Sequence, residues 1–285
     1  MSCTVVVARS LDEALRALER ATERSRVLAG GTDLMVELHS GRTRPDFVVD
    51  VWRVDELRGI RAEADGLRIG ALTTCAELKR SPLVRQRADL LASAADEVGA
   101  EQIQARATLG GNLGTASPAA DLNPVLVALG AGVRLASLAG ARELDVGDFL
   151  VGYRSTARRR DELIESIFVP ARPAGELRGF RKVGTRRAQS IAKVVVALAL
   201  RVESGSIVSI RAAAGSVAPR TIRLSTLERE LAGRAPDAQL FDRAAAASAR
   251  TDIAPIDDVR STAGYRRHAF RRIVRTLLCA VNGLA

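Results

Sequence analysis

Two glycine pairs, Gly30-Gly31 and Gly110-Gly111, constrain this chain more than any other feature. The first lies in Val27-Leu28-Ala29-Gly30-Gly31-Thr32-Asp33-Leu34. The second lies in Ala107-Thr108-Leu109-Gly110-Gly111-Asn112, with Ala116-Ser117-Pro118-Ala119-Ala120-Asp121 just beyond. Each pair has a small or hydroxylated neighbour, a polar residue after it and an apolar stretch nearby to anchor it. With no Cβ in the way and positive φ accessible, consecutive backbone N–H groups can converge on a phosphate. Two such turns are expected to grip one pyrophosphate from both sides. Neither has the spacing GxGxxG or the GxxxxGK signature, so Rossmann and P-loop sites are not expected.

The other chemistry-bearing residues exclude more than they offer. Cys3, Cys75 and Cys279 are far apart, and no Cys or His spacing suits a metal, so no iron–sulfur cluster and no zinc are expected. His39 and His268 stand in unrelated contexts, so no Ser/His/Asp or Cys/His catalytic machine is expected. Asp161, Glu162 and Glu165 sit beside Arg158-Arg159-Arg160 and read as exposed salt pairing. No catalytic side chain is expected, so the chemistry must come from a bound cofactor. Asp121 reads equally as a helix cap or as an acceptor for ribose hydroxyls or an adenine amine.

A net charge of +10 admits a nucleic-acid-binding rival in which the glycine turns are only structural. The basic residues are scattered and only 3% of residues are aromatic, so stacking platforms are scarce and no nucleic acid is expected as partner. The N-terminus lacks a signal-peptide pattern and no apolar run would span a bilayer, which points to the cytoplasm.

Along the chain, strands are expected at 5–8, 26–29 and 47–51, with a helix opened by the Ser10/Glu13 capping pair and another over 34–38. These make a unit over 1–56. A second unit over 57–174 has strands at 67–72, 133–136 and 163–169, a Thr74/Glu77 capping pair, a long helix from Ser81-Pro82 to about Val98, and a helix over 122–129 begun at Ser117-Pro118. Pro170-Ala171-Arg172-Pro173-Ala174-Gly175 reads as a linker. The third unit, 176–285, has a hairpin of 191–202 and 207–213 about Glu203-Ser204-Gly205-Ser206, then helices at 226–231, 241–249 and 261–281.

The three motifs, with Glu162-Leu163-Ile164, Val169-Pro170, Phe180-Arg181-Lys182-Val183-Gly184, Ile191-Ala192, Asp258-Val259-Arg260-Ser261 and Tyr265-Arg266, resemble the FAD-binding medium subunit of molybdenum hydroxylases, the family of xanthine and carbon monoxide dehydrogenases. The resemblance runs the length of the chain. It implies an α+β protein: a two-domain, vanillyl-alcohol-oxidase-like (PCMH-type) FAD-binding fold followed by a C-terminal domain of the CO dehydrogenase flavoprotein type. It implies FAD between the first two units, held by Val27, Leu28, Ala29, Gly30, Gly31, Thr32, Asp33, Leu34, Val98, Thr108, Leu109, Gly110, Gly111, Asn112, Thr115, Ser117, Asp121, Ile164 and Lys182. Asp121 would serve the adenosine end, Ile164 would pack near the adenine or ribose, and Lys182 would reach the flavin from the third unit.

The implied partners are a molybdopterin-binding large subunit and a small subunit with two 2Fe-2S clusters, in a dimer of heterotrimers, with NAD or oxygen as electron acceptor. A stand-alone FAD-dependent reductase of the same superfold is the nearer rival. Ser190 stands where the family usually has Asp, and Ala105 where Asn is common. The basic loop after Thr156 leaves family contacts around Tyr153 open.

Overall fold

The computed structural model describes residues 3–284 as an α+β chain with three hydrophobic cores. In the first, β1 (Thr4–Val7), β2 (Arg26–Leu28) and β3 (Phe47–Asp50) form a parallel sheet in the order β1-β3-β2. Helix α1 (Leu11–Leu18) buries Ala14, Leu15, Ala17 and Leu18 against it, the apolar stripe that a 3.6-residue period predicts. Ser10 caps α1 by accepting from Glu13 N. The return bond goes elsewhere than expected: the Glu13 carboxylate takes the Arg9 N–H at 2.8 Å. Helix α2 (Leu34–His39) follows the first glycine pair.

The second core lies under an antiparallel sheet of β4 (Ile60–Glu63), β5 (Gly66–Gly70), β6 (Gly132–Ser137), β7 (Gly140–Asp145) and, in its centre, β10 (Leu163–Pro170); a two-stranded ribbon, β8 (Leu150–Gly152) with β9 (Ser155–Thr156), stands apart. Between β5 and β6 run α3 (Cys75–Arg80), α4 (Pro82–Arg87), α5 (Asp89–Asp96), α6 (Glu101–Gln104), α7 (Leu109–Thr115) and α8 (Leu122–Ala128); α9 (Val146–Phe149) follows β7. Thr74 and Glu77 make the expected reciprocal capping box. The long helix expected from Ser81 is two helices, because Ala88 leaves the helical region at φ −139°, ψ 50°.

The second glycine pair is not a free-standing turn. Gly110 and Gly111 are the first turn of α7, capped by Thr108. Ser117-Pro118 starts no helix either: the Ser117 hydroxyl accepts from Ala119 N, and α8 begins only after Asp121.

The third unit pairs β11 (Glu176–Val183), β12 (Val194–Glu203), β13 (Ser206–Gly215) and β14 (Ile222–Arg223) in sequence order, with α10 (Ser225–Leu231), α11 (Ala238–Thr251) and α12 (Ala263–Val281) on one face. Strand β12 is apolar on both faces because both are covered. Val194, Val196, Leu198 and Leu200 face the helices of this unit, whereas Ala197, with Ala213 of β13, joins the second core under α8. The small residues on that face let α8 approach closely. A Cβ on Gly215 would lie 3.0 Å from the Pro118 carbonyl, and Ser216 N donates to that same oxygen at 2.7 Å, which pins the segment ahead of Asp121. Truncating a fully buried leucine such as Leu198 to alanine costs about 3 kcal/mol.

Candidate functional site

The first glycine segment leaves the C-terminal end of β2 and turns into α2. Gly31 has φ +79°, a region closed to most side chains, so glycine is required there. The Gly31 carbonyl accepts from Met35 N and the Asp33 carbonyl from Glu37 N. The N–H groups of Gly30, Gly31, Thr32, Asp33 and Leu34 meet no protein acceptor among the described residues. Five successive amide donors at one turn fit an anionic ligand, since buried or half-buried N–H groups otherwise find partners.

The second segment works differently from the expectation. Leu109 N donates to Thr73 O at 2.9 Å, Gly110 N to Ala71 O at 2.8 Å, Gly111 N to the Thr108 hydroxyl at 3.1 Å and Asn112 N to Thr108 O at 2.9 Å. These amides are engaged within the protein and do not mirror the first turn. Neither Gly110 nor Gly111 has positive φ. Their missing Cβ atoms serve packing: one on Gly110 would lie 2.6 Å from the Ala71 Cβ, and one on Gly111 would lie 2.7 Å from the Thr108 hydroxyl oxygen. The polar atom this segment leaves unpaired is the buried Asn112 Oδ1, which has no partner among the described residues.

The two segments touch. A Cβ on Gly30 would fall 1.7 Å from the Arg106 carbonyl oxygen, and Arg106 Nε donates to Gly30 O at 3.4 Å. The Ala29 Cβ lies 3.9 Å from where a Gly111 Cβ would be. A second tie joins the first two units: Arg154, at φ +49° in the tip between β8 and β9, gives Asp33 a bidentate pair at 2.9 and 3.1 Å and reaches Glu37 at 2.8 Å. Val27, Leu28 and Thr32 are half-buried around the first turn, and Ile164 of β10 comes within 3.3 Å of a Cβ placed on Gly114 of α7.

Asp121 occupies the N-cap position of α8, yet its side chain makes no capping bond. It accepts from Lys182 Nζ of β11 at 2.7 Å, and that ammonium also donates to Glu97 O at 2.7 Å. Asp121 Oδ1 is buried without a partner. Burial pushes the Asp121 carboxyl up to about 6 against the pull of Lys182. Burial, with the nearby Asp121 charge, pushes the Cys75 thiol up to about 12, away from the thiolate form. Lys182, reaching over from the third unit, is thus held against Asp121. Asp121 lines a cavity of about 400 Å³ with Gly99, Ile103, Ala119, Arg186, Gln189, Ser190 and Ile191. Gln189 N donates to Gly99 O there, which closes the third unit onto the second beside Val98.

Other expectations are corrected. Glu162 is not part of an exposed cluster: it is buried, accepts from Arg142 Nε at 2.6 Å and Nη2 at 2.9 Å and from Arg159 N at 2.6 Å, and those bonds hold its carboxyl below the usual range. The Ser190 hydroxyl donates to Arg186 O at 2.8 Å. Sequence reasoning missed Arg106 and Arg154, since nothing local marks an arginine whose partner lies 76 or 121 positions away. Among the described residues no group of His, Cys, Asp and Glu is placed to hold a metal, and no helix is long and apolar enough to cross a membrane.

Two family models match in succession: the FAD binding domain in molybdopterin dehydrogenase over residues 1–172 and the CO dehydrogenase flavoprotein C-terminal domain over residues 179–281. The glyceraldehyde dehydrogenase medium chain of Sulfolobus acidocaldarius is 32% identical over 93% of each chain. The carbon monoxide dehydrogenase medium chain of Hydrogenophaga pseudoflava is 30% identical over 95% of this chain and 94% of its own. The solved structure of the H. pseudoflava carbon monoxide dehydrogenase superposes with a TM-score of 0.95 at 29% identity, covering 99% of this chain and 98% of that one. Quinoline 2-oxidoreductase from Pseudomonas putida 86 gives 0.91 at 26% identity, over 99% and 98%. A turn of unmet amides beside the second glycine segment, and family matches that run the length of the chain, lead to one assignment: the chain belongs to the CO and xanthine dehydrogenase flavoprotein family and is the FAD-binding oxidoreductase subunit of a molybdenum hydroxylase-type dehydrogenase.

Proposed function

We propose that this chain is the electron-exit subunit of a complex in which a large chain binds molybdopterin, a small chain carries two 2Fe-2S clusters, and NAD or oxygen is the final acceptor, assembled as a dimer of heterotrimers. The observation that carries the reading is the row of N–H groups at 30–34 without protein acceptors, set against the Thr108–Asn112 lobe. When bound, FAD supplies the redox chemistry, accepting electrons from the clusters and delivering them to the acceptor. The chain's own residues bind and orient it. The amides from Gly30 to Leu34 would receive the diphosphate, and Thr108 and Asn112 would close on it from the second lobe. Asp121, with Lys182 holding its other oxygen, would accept from the adenosine end; Val98, Thr115, Ser117 and Ile164 would shape that wall. No side chain is needed as a general acid or base.

Co-expression with candidate large and small chains tests this. The three are expected to co-purify, and the flavin absorption to bleach when the complex receives its reducing substrate and return when NAD or oxygen is admitted. A single chain that sustains full turnover alone would favour the stand-alone reductase instead.

A further inference from the structure

Trp52, the only tryptophan in the chain, sits just past β3, where Val51 N donates to Leu28 O at 2.9 Å and so joins the ends of β3 and β2. Its own N–H is held by Asp50 Oδ1 at 2.9 Å, and its carbonyl accepts from Arg58 Nη2 at 2.6 Å. The indole is thereby fixed beside the strand end that feeds the first glycine turn. Over its ring, at 3.7 Å from the centroid, lies the guanidinium of Arg106; that of Arg58 lies at 4.6 Å. Arg106 is the residue whose Nε donates to Gly30 O and whose carbonyl fills the space a Gly30 Cβ would take, and it stands two residues before Thr108, where the second segment begins.

From this we infer that the Trp52–Arg106 stack is a positioning device: it sets the spacing between the two glycine segments and so governs how tightly the cleft holds FAD, without touching the cofactor itself. The inference rests on the FAD reading above. A planar guanidinium can lie flat on an indole and still point Nε at a carbonyl; a lysine ammonium offers no such plane, and an aromatic phenyl ring can replace the indole where a methyl group cannot. A cavity of about 530 Å³ lies beside the indole, with Trp52, Arg58, Thr74 and Ala105 in its wall.

The test is FAD affinity of the purified chain, read by flavin titration of the flavin-free protein, alongside the thermal midpoint of that flavin-free form. Trp52→Ala and Arg106→Lys are each expected to weaken FAD binding about tenfold, and the double variant by clearly less than the product of the two, because the stack they share is lost in either one, while the Arg58 contact goes only with Trp52 and the Gly30 bond only with Arg106. Trp52→Phe is expected to restore most of the affinity. The flavin-free midpoints are expected to stay near wild type, which separates positioning from general stability. Should Trp52→Ala fail to fold, Arg106→Lys against Trp52→Phe still decides. Wild-type affinity in Trp52→Ala or Arg106→Lys, or additive losses, would overturn the inference while leaving FAD binding intact. A wild-type chain that takes up no flavin would overturn the FAD reading and this inference with it.

Discussion

Lys182 Nζ lies 2.7 Å from Asp121 Oδ2, a buried ion pair that joins strand β11 of the third unit to the start of α8 in the second. The pair holds Asp121 Oδ2 and leaves Oδ1 buried with no partner among the described residues.

Burial sets the pH behaviour of that pair. The Asp121 carboxyl is raised from 3.8 to about 6, so the unfolded chain gives up this proton first. Its favourable contribution to the stability of the flavin-free protein is fully present below 3.8 and lost as pH rises through about 6. Asp121→Asn is expected to gain stability relative to wild type across that interval in denaturant titrations at successive pH values. A difference between the two proteins that does not change with pH would contradict the assignment.

Glu162 has the opposite sign. Its carboxyl lies below the ordinary 4.5 because Arg142 and the Arg159 N–H bond the charged form, so its contribution is present above 4.5 and lost as pH falls through the lowered value. Glu162→Gln is expected to cost about 2 kcal/mol at neutral pH, less than for a fully buried pair because Arg142 is partly exposed. The deficit should shrink in acid, as urea midpoints would show. A deficit that grows on acidification would count against it.

Gly30→Ala places a methyl group against the Arg106 carbonyl and is expected to force the lobes apart, lowering FAD affinity roughly ten- to a hundredfold. Gly264→Ala is the contrasting case. It adds a Cβ with nothing within 4 Å near the start of α12, and is expected to stabilise the chain by about 0.5 kcal/mol with flavin binding unchanged. Equal flavin content in the two purified variants would refute the steric argument.

Arg154→Gln should loosen the tie from the β8–β9 tip to Asp33 and Glu37 and speed flavin release. Asp33→Asn should do the same, and the double variant should show a coupling of about 1 kcal/mol. Stopped-flow flavin release from the four proteins checks this, and strictly additive rates would exclude a shared contact.

Much of this was legible in the sequence because the signals are local. The strand leading to Gly30-Gly31, the Thr74/Glu77 capping box and the hairpin at Ser204-Gly205 each follow from a few adjacent residues. What stayed hidden depends on residues far away. The amides after Thr108 look as available as those after Ala29, and only the fold shows that the carbonyls of Ala71 and Thr73 have taken two of them. The polar-rich strands β4, β7 and β11 carry no clear apolar alternation, so they form through pairing with β5, β6 and β12 rather than by pattern. Glu162 reads as a surface acid until Arg142, 20 positions away, is brought beside it.

Amide hydrogen exchange with and without FAD reports which backbone donors the cofactor takes. Protection is expected at Gly30 to Leu34, with little change at Leu109 to Asn112, where the donors already have protein acceptors. Protection confined to the second segment, or none at either, would contradict the account.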